Sequence, residues 1–123
     1  MSTETETDRV RKLICGALPT YEAAAACCAA LQSRPSLIVR PRKVPTADLK
    51  QIYAVRLVRS SRTDMPIGSE DVLKRLEGAA ADVNMYVWEG DQRVFVVITD
   101  TSTSQLVACM VGRDRRAMEP TER

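Results

Sequence analysis

At 123 residues the chain has the usual length of one domain, and its composition, 45% hydrophobic and 28% charged, is that of an ordinary globular protein. No apolar run approaches the roughly 20 residues that cross a bilayer, and the acidic N-terminus lacks the pattern of a signal peptide, so we expect a cytoplasmic or nuclear protein with no membrane span. A formal net charge of only +2 argues against a protein dedicated to neutralising nucleic acid.

The two ends of the chain differ in composition from its middle. Residues 1–7 are polar after the initial methionine and have nothing to bury, so we expect a disordered tail there. Residues 113–123 are also polar and are expected to form a flexible tail. No repeat and no low-complexity segment interrupts residues 8–112, which the pattern predicts to be a single α+β domain.

Two helices are predicted at the start of the domain. Asp8 can cap a helix whose apolar residues from Val10 to Leu18 recur at the spacing of one buried stripe. Thr20 can cap a second helix that runs from Tyr21 to about Ser33 through an alanine-rich stretch. These segments predict an N-terminal helical pair.

The next two segments favour strands. Residues 37–39 form a short β-branched run that is followed by Arg40 and Pro41, and because proline cannot donate to a ladder, this strand should lie at a sheet edge. Residues 51–58 fit both the alternation of a strand and the stripe of a helix. Their β-branched content favours the strand, and the helix remains the alternative.

The second half of the chain has a clearer pattern. Ser69 can cap a helix with a continuous apolar face that reaches Val83. Strands are then predicted at residues 85–88, 93–99 and 106–111, and the short polar connections between them require antiparallel neighbours. Because the middle strand is apolar on both sides, both faces of this sheet should be covered.

These elements give the order α-α-β-β-α-β-β-β, an antiparallel sheet between the Ser69 helix and the N-terminal helical pair. If the N-terminal helices cover too little of their face, the remaining apolar area needs a partner subunit. The β-β-α-β-β-β order from Leu37 to Val111 resembles that of the small roadblock and longin-like domains. This resemblance in element order implies a dimerising scaffold. The implication rests on an analogy between folds.

The residue types disfavour an enzyme. The chain has no histidine, the usual side chain for proton transfer at neutral pH, and its 5 glycines are isolated, so no phosphate-binding loop is predicted. Cys27 and Cys28 lack a C-x-x-C spacing and are read as reduced core residues. Turn chemistry explains the carboxylates Glu89, Asp91 and Asp100 more simply than a bound cation does. We therefore expect no catalytic residue, metal or cofactor.

Basic residues flank the first two predicted strands and define a candidate interaction surface. Its members are Leu37, Ile38, Val39, Arg40, Arg42, Lys43, Arg56 and Arg59. We expect a non-enzymatic protein–protein interaction module, a small subunit or adaptor of a larger complex, bound to a protein partner or to a second copy. The alternative is an RNA-associated protein that grips phosphates through the arginines. Solvated charges that deter aggregation at a sheet edge explain the same residues without any ligand.

Overall fold

The computed structural model describes residues 6–18, 20–33, 39–59, 69–90 and 92–113. Within these ranges no helix is long and apolar enough to cross a membrane. The protein is α+β, with helices and an antiparallel sheet. The described elements are α1 (Glu6–Gly16), α2 (Tyr21–Ser33), β1 (Arg42–Pro45), α3 (Thr46–Arg59), α4 (Ser69–Leu76), β2 (Asp82–Gly90), β3 (Arg93–Asp100) and β4 (Leu106–Gly112).

The sheet has four antiparallel strands in the order β1-β2-β3-β4. The three strands predicted in the C-terminal half are confirmed as β2, β3 and β4; β2 is longer by three residues at its start and two at its end, and β3 and β4 by one residue at the end. Val97 faces Tyr86 of β2 on one side and Cys109 of β4 on the other. Near the start of β4 the register shifts by one residue, so Val107 is the extra residue of a bulge.

Apolar side chains cover both faces of the sheet, as the sequence predicts. Val94, Val96 and Ile98 of β3 belong to a buried cluster with residues of α3 and α4. Phe95 and Val97 of the same strand belong to a second buried cluster with residues of α1 and α2. The side-chain alternation of a strand therefore places the two clusters on opposite faces, and the described part of the domain has three layers, helices on each side of one sheet.

The N-terminal helical pair is confirmed, with one change at its start. Helix α1 begins at Glu6, ahead of the predicted cap Asp8. The Thr20 hydroxyl accepts a hydrogen bond from the backbone N–H of Ala23 at 3.0 Å, the geometry of the predicted cap of α2. In the Ser69 helix the i, i+4 pair of Asp71 and Arg75 forms, with 2.8 Å between oxygen and nitrogen. That helix ends at Leu76 rather than continuing to Val83, which lies in β2.

The predicted strand at residues 51–58 is wrong, because this segment belongs to α3. Leu49 and Tyr53, one helical turn apart, are both fully buried, while Val55 is exposed. A strand would have placed Tyr53 and Val55 on one face. The buried stripe that matches the helical period therefore decided the structure against the β-branched content.

The first strand also lies elsewhere than predicted. Leu37 and Ile38 are outside the described residues, and Val39 is buried but not part of a strand. The strand is β1, which begins at Arg42 and has Val44 as its single buried residue. The observed order after the helical pair is β-α-α-β-β-β, so the roadblock and longin-like order is not confirmed.

Helix α2 contacts the sheet closely at the end of β2. A Cβ atom added to Gly90 would lie 2.8 Å from the Cβ of Ala30 and 3.1 Å from Cε2 of Phe95. Beside this contact the rings of Trp88 and Phe95 stack with 5.2 Å between their centroids. The lack of a side chain at Gly90 thus allows the alanine-rich helix to approach the strand backbone.

Candidate interaction site at the sheet edges

The structure separates the residues of the sequence-predicted surface. Val39 is buried against the α1/α2 side of the sheet and is not available to a partner. Arg40, Arg42 and Lys43 are exposed. The remaining members fall outside the described residues or side chains: Leu37 and Ile38 lie in an undescribed range, and Arg56 and Arg59 have a described backbone in α3 but undescribed side chains.

Strand β1 forms one edge of the sheet and is poorly suited to pair with another chain. It is only 4 residues long and ends at Pro45, which has no N–H to donate. Its Lys43 ammonium lies 3.7 Å from the Asp82 carboxylate of β2, an exposed ion pair. A short strand that carries charge and proline is how natural proteins protect a sheet edge. The basic residues of β1 therefore have a structural explanation at this edge.

Strand β4 forms the other edge and has the opposite character. It spans 7 residues, LVACMVG, with no charged residue and no proline. Among the described residues no strand pairs with its outer side, and α4 is the helix that packs most closely against this strand. Leu106 at its start is 40% exposed, one of few large apolar side chains with such exposure in the described part of the chain. Alternate backbone N–H and C=O groups of an edge strand point away from its sheet, where a further strand can pair with them.

The bulge leaves most of the β4 edge regular. It involves Val107, which has no partner of its own on β3, while the stretch from Ala108 to Gly112 keeps continuous antiparallel register with β3. Bulges can blunt a sheet edge by twisting it away. Here the bulge affects only the first residues of β4, and the backbone of the strand beyond it is regular.

Asp100 is the carboxylate at the end of β3 whose role the structure resolves. Its oxygens accept hydrogen bonds from the backbone N–H of Ser102 at 2.8 Å, from the Ser102 hydroxyl and from the backbone N–H of Ala80 at 3.1 Å. These bonds, the Ser102 hydroxyl first, lower the pKa of Asp100 to about 2. The carboxylate closes the β3–β4 turn and ties it to the segment before β2, which confirms turn chemistry at this position.

The cysteines are closer together than the sequence suggests. Cys15 of α1 and Cys27 of α2 lie with their Sγ atoms 3.6 Å apart. Cys28, the next residue of α2, also contributes to the raised pKa of Cys15. Burial raises the pKa of Cys15 to about 11 and raises that of Cys27 further. The fourth thiol, that of Cys109 in β4, instead donates to the carbonyl of Ala17.

Sequence reasoning missed both the β4 edge and the contact between Cys15 and Cys27. The edge position of β4 depends on strand order, which periodicity does not determine, although the absence of charge in residues 106–112 was visible. The thiol contact depends on how α1 packs on α2. In the described residues no group of three or more histidine, cysteine or acidic side chains has the arrangement of a metal site.

No protein-family model, no curated protein and no solved structure matches this chain.

Proposed function

We propose that this chain is an intracellular, cytoplasmic, non-enzymatic protein-interaction module, a small subunit or adaptor that docks to its partner through the outer edge of β4. The observation that carries the proposal is the contrast between the two sheet edges. β1 is short, basic and closed by Pro45, whereas β4 is longer, uncharged and bordered by the exposed Leu106. Strand addition to such an edge is a common mode of peptide recognition.

Strand addition supplies both affinity and selectivity. The main chain of the incoming strand satisfies outward-facing backbone groups of β4, and such hydrogen bonds contribute to affinity without regard to sequence. Leu106 offers an apolar contact for a side chain of that strand. The helical layers on both faces of the sheet fix the edge in place, so the partner meets a rigid element and little ordering is required of this chain.

The test is a substitution at the β4 edge with a control elsewhere. Leu106→Lys replaces the exposed apolar side chain at the start of this edge with a charged one, and it should cost little stability because the side chain is already 40% exposed. Val55→Lys is the matched control, an apolar residue of 42% exposure on α3. We expect wild type and Val55→Lys to copurify with a stoichiometric protein from the native source, and Leu106→Lys to lose it.

Two outcomes would count against the proposal. A wild-type chain that is a strict monomer in solution and copurifies with nothing leaves the module without a partner. A partner that Leu106→Lys retains as well as Val55→Lys does is bound elsewhere than at β4.

The basic residues provide the alternative function, an RNA-associated protein. Arg40, ahead of β1, and Arg42, its first residue, are both exposed. If they contact phosphates, charge reversal at both positions abolishes nucleic-acid retention, and retention falls steeply as salt rises. The same substitutions leave strand addition at β4 unchanged, because β1 lies at the opposite edge of the sheet. The pair of experiments therefore separates the two functions.

A further inference from the structure

Two of the four thiols of the chain meet where α1 packs on α2, and Cys28 follows one of them in the sequence. The Cys15 thiol contacts that of Cys27 at 3.6 Å, and Cys28 contributes to the raised pKa of Cys15. Cys27 is fully buried, whereas Cys15 and Cys28 keep part of their surface in solvent. Strand pairing at β4 does not require these thiols, so their chemistry is independent of the proposed docking function.

We propose that Cys15 and Cys27 are a modification site, a thiol pair that a hydroperoxide oxidises to an intramolecular disulfide that joins α1 to α2. The two residues are 12 positions apart in sequence and sit on adjacent helices, so the bond would close a short loop around the α1–α2 connection. A disulfide sulfur pair is separated by about 2.0 Å, so side-chain rotation and a small helix adjustment must bring the two atoms together from 3.6 Å.

The reaction balances with a hydroperoxide as the oxidant. Cys15, the partly exposed member, loses its proton to solvent, and its thiolate attacks one peroxide oxygen. The O–O bond breaks, the leaving hydroxide or alkoxide takes up a proton, and Cys15 becomes a sulfenic acid. The Cys27 sulfur then attacks the Cys15 sulfur as its own proton leaves. The S–O bond breaks, water departs and the S–S bond forms, so two thiols and one hydroperoxide give one disulfide, with water and either a second water or an alcohol.

The positions of the other thiols make Cys15–Cys27 the favoured pair. Cys27 and Cys28 are neighbours in one helix, and residues at i and i+1 do not face each other. Cys28 is the competitor for Cys15, but the sulfur contact at 3.6 Å is the one with Cys27. Cys109 points its thiol at the carbonyl of Ala17. Burial keeps the Cys15 thiol protonated, so the reaction at neutral pH is slow and the oxidant must be in excess.

The experiment treats the full chain with excess hydrogen peroxide and follows intact mass and peptide connectivity. Cleavage after Glu22 separates Cys15 from Cys27 and Cys28, so a disulfide appears as a linked pair of fragments that a thiol reductant releases. We expect wild type to lose two hydrogen atoms in mass and to give this linked pair. Cys28→Ala and Cys109→Ala should behave like wild type, whereas Cys15→Ala and Cys27→Ala should form no link.

Several results would overturn the proposal: a link that persists in Cys27→Ala, a link that needs Cys109, a gain of oxygen without any link, or disulfide-joined dimers. Cys27 is fully buried, so its variant could lose its fold. Cys28→Ala keeps the proposal testable if Cys27→Ala does not fold. In Cys28→Ala the fragment after Glu22 carries Cys27 as its cysteine, so the absence of a link in that variant contradicts the pairing. A second readout is the denaturant midpoint of the wild type, which should rise on oxidation and return on reduction.

Discussion

A methyl group added at Gly90 would strike helix α2, and the resulting loss of stability can be worked out from the structure. The new Cβ would lie 2.8 Å from the Cβ of Ala30, and carbon atoms prefer a separation of roughly 3.5–4.0 Å, so helix and strand must part by about 0.7–1.2 Å. Cε2 of Phe95 would lie 3.1 Å from the new Cβ, so the strand cannot relieve the clash by moving toward this ring. Overpacking of this kind costs about 1–3 kcal/mol of unfolding free energy.

A double-mutant cycle tests whether contact with helix α2 causes the loss of stability in Gly90→Ala. Ala30→Gly alone should cost about 1 kcal/mol, since glycine is unfavourable within a helix. In the double variant Gly90→Ala/Ala30→Gly the closest contact disappears, so its cost should be smaller than the sum of the single costs by about 1 kcal/mol. The assay is equilibrium unfolding in denaturant, with Gly78→Ala as the control because an added Cβ there meets nothing within 4 Å.

The refuting result is additivity. If Gly90→Ala costs no more than Gly78→Ala, or if the cycle shows no coupling, α2 does not rest on the end of β2. The helical cover of this face of the sheet would then be misplaced.

The remaining predictions concern α3 and the β3–β4 turn. Tyr53→Ala should cost about 3–5 kcal/mol in equilibrium unfolding and Val55→Ala no more than about 0.5 kcal/mol, because a helix buries the first and exposes the second; equal costs would favour a strand. The pKa of Asp100 is lowered to about 2 when folded, below the roughly 3.9 of an unfolded chain, so its contribution to stability is present above about pH 4 and is lost as pH falls toward 2. Wild type should therefore lose more stability than Asp100→Asn over that range, and parallel pH profiles would contradict the turn geometry.

Much of the C-terminal half could be predicted from the sequence because each element there has one strong pattern. Val94 to Ile98 are apolar on both sides, which is typical of a strand covered on both faces, and the two clusters confirm this. Thr20 predicted its helix because a cap is a local interaction that depends on the residues that follow it.

Other elements depended on tertiary packing. The apolar residues of segment 51–58 fit both the period of a strand and that of a helix. Burial of Leu49 and Tyr53 against α4 and the sheet selected the helix. β1 contains a single buried residue, Val44, and therefore no alternation to detect. The β4 edge required the strand order, and the Cys15–Cys27 contact required the helix packing, neither of which a single sequence specifies.

Residue-resolved hydrogen exchange across β4 tests the proposed docking most directly, namely that the outer side of this strand, which no described strand pairs with, receives a partner. In the isolated chain we expect alternating protection from Leu106 to Gly112, with slow exchange at amides bonded to β3 and fast exchange at those that point outward. In the complex the outward amides should become slow. Uniformly slow exchange along β4 in the isolated monomer, or unchanged fast exchange at the outward amides in the complex, would contradict docking at this edge.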